Sequence, residues 1–137
     1  MENKNVVEFF INITPPTVTH HDKKLAVSKN GKPYMYDSME LKKVKAELRD
    51  HLAGHKPKEK LEPPIRLVVK WCFPLKEGKK NGQYMTEKPD LDNSLKTLMD
   101  RMTQLDFWED DCHVASLVLE KFYAEITGIY IFAEEIE

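Results

Sequence analysis

The sequence has only two cysteines, no long apolar run and no secretion signal. Cys72 and Cys112 form no C-x-x-C pair, which indicates free thiols in a reducing compartment rather than a disulfide-stapled secreted domain. No apolar run approaches the roughly 20 residues that a membrane-spanning helix needs. Residues 1–5 lack the pattern of a signal peptide. We therefore expect a cytoplasmic protein without a membrane partner, with residues 1–137 forming a single domain.

The net charge of −2 is small, but it hides an uneven distribution. Residues 20–60 carry 11 Lys and Arg against 6 Asp and Glu, whereas residues 101–137 carry 2 against 9. The chain therefore has a basic part and an acidic part. Two interpretations are open for the basic part: solvated helix faces, or a phosphate-binding surface that lies beside an acidic metal pocket.

The hydrophobic pattern predicts the element order β-(hairpin)-α-β-α-β-β, in which Asn30-Gly31 marks the hairpin turn. The first helix follows a cap at Asp37-Ser38 and stops at Gly54, and the second begins near Asp92. The predicted strands cover residues 6–13, 65–73, 114–124 and 129–133. Residues 75–88 are polar and predict a mobile loop. The fold class is therefore α+β: a single small domain with a mixed β-sheet packed against two α-helices.

The most informative residues lie around the second helix. Pro89 favours an extended approach, so Asp90 and Asp92, two residues apart, can point to the same side. If Asp111 folds back over the start of the helix, the three carboxylates form a Mg²⁺ pocket. Such a pocket can polarise a phosphoryl oxygen and activate a water molecule. The alternative is that Asp92 or Asn93 only caps the helix, which leaves Asp90 and Asp111 unexplained.

Lys96 lies one turn into this helix, within reach of the same pocket. It can offset carboxylate repulsion, hold a scissile phosphate or stabilise charge in the transition state. As an i,i+4 partner of Asp92 or Asp100 alone it would contribute only about 0.2–0.5 kcal/mol. The pair Phe107-Trp108 is interpreted as a core anchor that fixes where the following carboxylates point.

A zinc site is the less favoured alternative. The candidate ligands lack the paired spacing of structural zinc sites: His20, His21, His51, His55, Cys72, Cys112 and His113.

The motif D-L-D-N-x-x-K at Asp90–Lys96, then Asp100 and F-W-x-D-D ending at Asp111, resembles the RusA family of Holliday junction resolvases. The early strand ending in Pro-Pro, the basic first helix and the final pair of strands also occur in the family's order. The resemblance covers most of the chain and is strongest over residues 88–111.

The resemblance implies a homodimeric, Mg²⁺-dependent endonuclease, with Mn²⁺ as a substitute, in a bacterial or phage-infected cell. Such an enzyme binds four-way DNA junctions in recombination and repair, and it nicks two opposed strands symmetrically. It implies that the catalytic residues are Asp90, Asp92, Lys96 and Asp111, and that the three aspartates hold the metal. Asp100 and Asp110 are implied as supporting residues.

The sequence departs from the family because Glu87-Lys88-Pro89 stands where a dense arginine run is expected. We therefore expect DNA contacts from basic residues of the loop and the first helix: Lys76, Lys79, Lys80, Lys88, Lys42, Lys43 and Arg49. Cys112-His113 is a second departure. A less selective branched-DNA nuclease and a non-catalytic DNA-binding domain remain alternatives. Every position of the catalytic motif is filled, which favours an enzyme.

Overall fold

The computed structural model describes residues 4–18 and 23–137. Over these residues the chain forms strands, two α-helices and one short 3₁₀ turn. In chain order these are β1 (Val6–Ile11), β2 (Lys23–Val27), β3 (Pro33–Asp37), α1 (Met39–Ala53), β4 (Ile65–Pro74), α2 (Leu91–Gln104), the 3₁₀ turn (Asp111–His113), β5 (Val114–Ala124) and β6 (Gly128–Glu135). This order confirms the sequence prediction, to which the structure adds the 3₁₀ turn.

The main sheet has four strands in the order β1-β6-β4-β5. Strands β4 and β5 are parallel, whereas β6 is antiparallel to both of its neighbours. A parallel pair requires a crossover connection, and α2 lies in the one that joins β4 to β5. Strands β2 and β3 form a separate hairpin, where Gly31 adopts a φ of 77° in the turn. The predicted mixed sheet and the hairpin are confirmed.

The core lies between one face of the sheet and both helices. Every second residue of β4 is buried from Ile65 to Phe73, because alternate residues of a strand face the same side. Leu48 and Leu52 of α1 and Leu98 and Met102 of α2 belong to the same buried cluster. The small α+β domain is therefore confirmed, and within the described residues neither helix combines the length and apolarity needed to cross a membrane.

The ends of α1 follow the prediction in part. Ser38 is the N-cap, and its Oγ accepts a hydrogen bond from the Leu41 backbone N–H at 3.1 Å. The helix ends at Ala53, and Gly54 follows as predicted. The φ of Gly54 is −70°, however, so this glycine does not use the left-handed conformation that a glycine stop implies.

The segment before α2 differs from its prediction as a mobile loop. Its second half is bonded to the outer edge of β5: the Gly82 N–H donates to the Tyr123 carbonyl at 2.7 Å, and the Met85 N–H donates to the Lys121 carbonyl at 3.0 Å. The prediction was wrong for residues 82–85. An edge strand presents unpaired backbone groups, and this polar segment satisfies some of them.

Candidate active site

Helix α2 begins with two exposed carboxylates. Asp90 occupies the N-cap position with extended backbone angles, φ −70° and ψ 143°, but its side chain makes no capping hydrogen bond. Asp92 and Asn93 lie inside the first turn, so neither occupies the N-cap position that the alternative assigned to one of them. Within the described part of the chain, neither Asp90 nor Asp92 has a hydrogen bond or ion pair through its carboxylate.

The approach to Asp90 is fixed from β5. Lys121 Nζ donates a hydrogen bond to the carbonyl of Pro89 at 2.6 Å and a second one to the carbonyl of Glu87. Pro89 itself is buried. These contacts hold the backbone next to Asp90, while its carboxylate remains open to solvent.

Lys96 and Asp100 form an ion pair one turn further along α2, with 2.9 Å between Nζ and Oδ1. Asp111 Oδ2 lies 3.9 Å from the same ammonium. The hydrogen bond to Asp100, followed by the charge of Asp100, raises the pKa of Lys96 above its ordinary value. Lys96 therefore stays cationic at neutral pH, and its ion-pair partner is Asp100, which the resemblance implied as a supporting residue.

Asp111 folds back onto α2, but against Thr103 near the end of the helix rather than at its start. The Thr103 hydroxyl donates a hydrogen bond to Asp111 Oδ1. Trp108, whose side chain is fully buried, donates from Nε1 to Thr103 Oγ1 at 2.7 Å and lies 3.4 Å from Asp111 Oδ1. The prediction that Phe107-Trp108 anchors the turn in the core is confirmed.

Thr103 is the residue of this group that the sequence analysis missed. It lies seven residues after Lys96 and three after Asp100, so all three share one flank of the helix. That spacing was visible in the sequence. A threonine hydroxyl in a helix gives no chemical signal, however, until a carboxylate is found against it.

Asp110 has a different role from Asp111. Its carboxylate accepts a hydrogen bond from the Cys112 backbone N–H at 3.0 Å and caps the 3₁₀ turn. This backbone hydrogen bond lowers the pKa of Asp110 below its usual range. Asp110 therefore caps the turn that carries Asp111.

The predicted metal ligands match Mg²⁺ in donor chemistry, because carboxylate oxygens are its preferred protein ligands. Asp90 and Asp92 are close in sequence and have no carboxylate partner among the residues that the structure describes. Asp111 is held at Thr103, which lies roughly 16 Å from Asp92 along the axis of α2 at 1.5 Å per residue. Among residues 4–18 and 23–137, no three Asp, Glu, His or Cys side chains lie close enough together to hold a metal ion. In the described chain the three carboxylates therefore do not form one cluster: Asp90 and Asp92 lie at the start of α2, whereas Asp111 lies against Thr103 and 3.9 Å from the Lys96 ammonium.

The zinc candidates are dispersed among the other elements. The described residues show no His and Cys cluster that could hold an ion. His20 and His21 lie outside the described residues.

The predicted DNA-contacting residues fall into two groups. In the loop, Lys76 is paired with Glu87 at 2.5 Å, and Lys79 lies 5.5 Å from the centre of the Tyr123 ring. Lys80 and Lys88 are exposed. On α1, the three predicted residues are all exposed: Lys42, Lys43 and Arg49. The two groups present basic charge on different elements, and Glu87 neutralises part of the loop's charge.

Fold and site together define a class: a small α+β domain whose carboxylates and lysine lie along one helix, beside basic surfaces suited to a polyanion. The family described as Endodeoxyribonuclease RusA matches residues 14–134 of this sequence. The chain therefore belongs to the RusA family of endodeoxyribonucleases.

Two relatives extend this comparison. The "Crossover junction endodeoxyribonuclease rusA" of Lactococcus phage r1t is 36% identical over 91 residues, which cover 65% of this chain and 70% of the phage protein. The "Uncharacterized protein YqaN" of Bacillus subtilis (strain 168) is 27% identical over 119 residues, which cover 79% of this chain and 83% of that protein.

Proposed function

We propose that this endodeoxyribonuclease resolves four-way DNA junctions by Mg²⁺-dependent, paired symmetric nicks. The observation that carries the proposal is the filled motif on α2 and the following turn, within a family match over residues 14–134. The similarity to a phage protein named as a crossover junction endodeoxyribonuclease supports the branched substrate.

Three carboxylates would hold the metal: Asp90, Asp92 and Asp111. The first two are exposed and unpartnered in the described chain, as expected of ligands that await a cation. When bound by these carboxylates, Mg²⁺ would polarise the scissile phosphoryl oxygen and lower the pKa of a bound water molecule. Because Asp111 lies apart from the other two in the single chain, we propose that the full set assembles when metal and DNA bind.

Lys96 is proposed to contact the scissile phosphate. Its ammonium lies between Asp100 and Asp111, which hold it in place and keep it charged. A fixed cation stabilises the charge that develops on the phosphate in the transition state without a cost of reorganisation. Asp100 and Asp110 act through Lys96 and Asp111 respectively, and so are positioning residues.

A homodimer is the assembly that suits this substrate. A four-way junction has approximate two-fold symmetry, and a two-fold dimer presents two equivalent sites to two equivalent strands. Light scattering coupled to size-exclusion chromatography tests this part of the proposal directly. A monomer on and off junction DNA would contradict it.

The decisive experiment offers synthetic four-way, three-way and linear DNA to the protein, with Mg²⁺, with Mn²⁺ and with EDTA, and maps the nicks. We expect two symmetric nicks in the four-way junction, only with a divalent metal. Equal cutting of three-way DNA would indicate the less selective branched-DNA nuclease. Binding without cutting under all conditions would indicate the non-catalytic DNA-binding domain.

A further inference from the structure

A cavity of about 350 Å³ lies where α1 meets the last turn of α2. It is separate from the flank of α2 that carries Lys96 and Asp100. Its charged and amide lining consists of Asp37, Lys42, Lys45, Arg49, Arg101 and Gln104. Four of these side chains are cationic and one is anionic, so the cavity carries an excess of positive charge.

Arg101 is the unusual member of this lining. It is only 8% exposed, and its Nε is fully buried without a hydrogen-bond acceptor. Across the described ranges, its guanidinium has neither a hydrogen bond nor an ion pair. A guanidinium has five N–H donors and is always charged, and a buried charge without a partner is strongly unfavourable. Arg101 lines the cavity and its Nε meets no acceptor among residues 4–18 and 23–137, so an anion in the cavity would satisfy it.

The nearby carboxylates do not supply that acceptor. Asp37, the carboxylate in the lining, is paired with Lys45 at 2.6 Å and with Lys23 at 3.5 Å. Asp100, next to Arg101 in sequence, is paired with Lys96 on another flank of the helix. Both of these carboxylates therefore have other partners in the described part of the chain, and neither is paired with Arg101.

The lining suits a phosphate group. Arg101 can offer two parallel N–H donors to a pair of phosphate oxygens, which is the geometry that guanidinium groups prefer. Lys42 and Arg49 lie seven residues apart on one flank of α1 and are exposed, so they extend the same surface outwards. An anion that enters the cavity would therefore meet the largely buried Arg101 side chain and the exposed side chains of Lys42 and Arg49.

We propose that this cavity is a subsite for a backbone phosphate of the DNA substrate, with Arg101 as its central ligand. The inference rests on the proposed function and extends it. Asp100 and Arg101 are adjacent in sequence and therefore about 100° apart around a helix only about 10–12 Å wide. At 3.4 Å per base pair, a strand that reaches both flanks spans roughly three base pairs. The cavity would thus hold the strand near the cleavage site.

The test compares wild type, Arg101→Met, Arg101→Lys and the control Lys56→Met, which removes an exposed lysine outside the cavity. Affinity for a four-way junction is measured by fluorescence anisotropy in EDTA over a range of salt concentrations. For Arg101→Met we expect about tenfold weaker binding and a salt slope smaller by about one, because one phosphate contact is lost. Arg101→Lys keeps the charge but not the planar guanidinium, so its junction affinity should lie between those of wild type and Arg101→Met. The affinity of Lys56→Met should stay within about twofold of wild type.

Stability separates a ligand-binding role from a structural one. A methionine removes an unpaired buried charge, so the melting temperature of Arg101→Met should equal or exceed that of wild type. A lower melting temperature with unchanged DNA affinity would make Arg101 a structural cation and overturn the inference. Should Arg101→Met fail to fold, Lys42→Met at the exposed mouth provides the same test, with about threefold weaker binding expected. If Lys42→Met then bound the junction as tightly as wild type does, the phosphate subsite would be refuted.

A second arm separates free phosphate from DNA as the occupant. The melting temperature is measured in inorganic phosphate and in chloride at matched ionic strength. The subsite is supported if phosphate raises the melting temperature of wild type but not of Arg101→Met, and if Arg101→Met also binds the junction more weakly. A rise with phosphate but unchanged junction affinity would assign the cavity to free phosphate and overturn the DNA subsite. Failure of the wild-type protein to bind or cut any DNA would instead refute the proposed function itself.

Discussion

The two flanks of α2 differ in how their charges are partnered. On one flank, Lys96 is paired with Asp100, and Asp111 is held by Thr103 and Trp108. On the flank that faces the cavity, Arg101 is largely buried, its Nε is fully buried, and it has no partner in the described residues. Partnered charges are fixed in position, whereas unpartnered ones remain available to bind something else. The first arrangement suits positioning and the second suits binding.

The start of α2 shows that an unpartnered charge costs less free energy at an exposed position than at a buried one. Like Arg101, Asp90 and Asp92 have no partner within the described ranges, but they are exposed. An exposed charge keeps its hydration and loses little without a partner, whereas a buried one loses most of it. Removing the charge of Asp90 should therefore alter function without altering stability. The following predictions test this contrast, beginning with the largest effect.

Asp90→Asn and Asp111→Asn should each abolish cleavage, by about 10³-fold or more, because each removes a proposed metal ligand. Junction binding should persist or tighten, since less negative charge faces the DNA. Single-turnover cleavage and anisotropy measure the two effects, with Asp50→Asn on the exposed face of α1 as control. Melting temperature should fall for Asp111→Asn, whose carboxylate has partners, and not for Asp90→Asn. Normal cutting by either variant would remove that residue from the mechanism.

Lys96→Ala should lower the single-turnover rate by about 100-fold, the usual loss when one fixed group that stabilises transition-state charge is removed. Junction affinity should change much less, because one exposed lysine among many contributes little to binding. Lys56→Ala, at an exposed lysine outside the predicted DNA contacts, is the matched control for the loss of one lysine. A single-turnover rate equal to that of wild type would refute the proposed contact with the scissile phosphate.

Thr103→Val should lower the cleavage rate about tenfold and destabilise the fold by about 1 kcal/mol, since Asp111 and Trp108 both lose a hydrogen-bond partner. Thr103→Ser keeps the hydroxyl and should restore most of the rate. Fluorescence of Trp108 reports the change without metal or DNA. If valine and serine variants are equally active, Thr103 only fills space.

The smallest expected effect concerns Asp37 at the edge of the cavity. The hydrogen bond from Lys45 lowers the pKa of Asp37 below its ordinary value. Because the folded-state pKa is the lower one, the pair stabilises the fold above the unfolded-state pKa. That contribution is lost as the pH falls through the folded-state pKa. Carboxyl-detected NMR titration should show the low pKa in wild type and an upward shift in Lys45→Met. An unshifted value in wild type would contradict the ion pair.

Local patterns in the sequence predicted the order of the elements. The cap at Ser38, the Asn30-Gly31 turn and strand β5 at residues 114–124 depend on neighbouring residues and on periodicity, so they were predicted correctly. The segment 82–85 was predicted incorrectly because its partners are some 40 positions away, at Lys121 and Tyr123. No local pattern encodes that contact.

The same distinction between local pattern and tertiary packing applies to the candidate site. The sequence alone supplied the residue types and their spacing along α2, because helical periodicity places Asp92, Lys96 and Asp100 on one flank whatever else the chain does. Only the tertiary structure decided that Asp111 docks at Thr103 and that Arg101 is buried with no partner among the described residues. Those outcomes depend on how the 3₁₀ turn and α1 pack against α2, and packing brings together groups that the sequence keeps far apart.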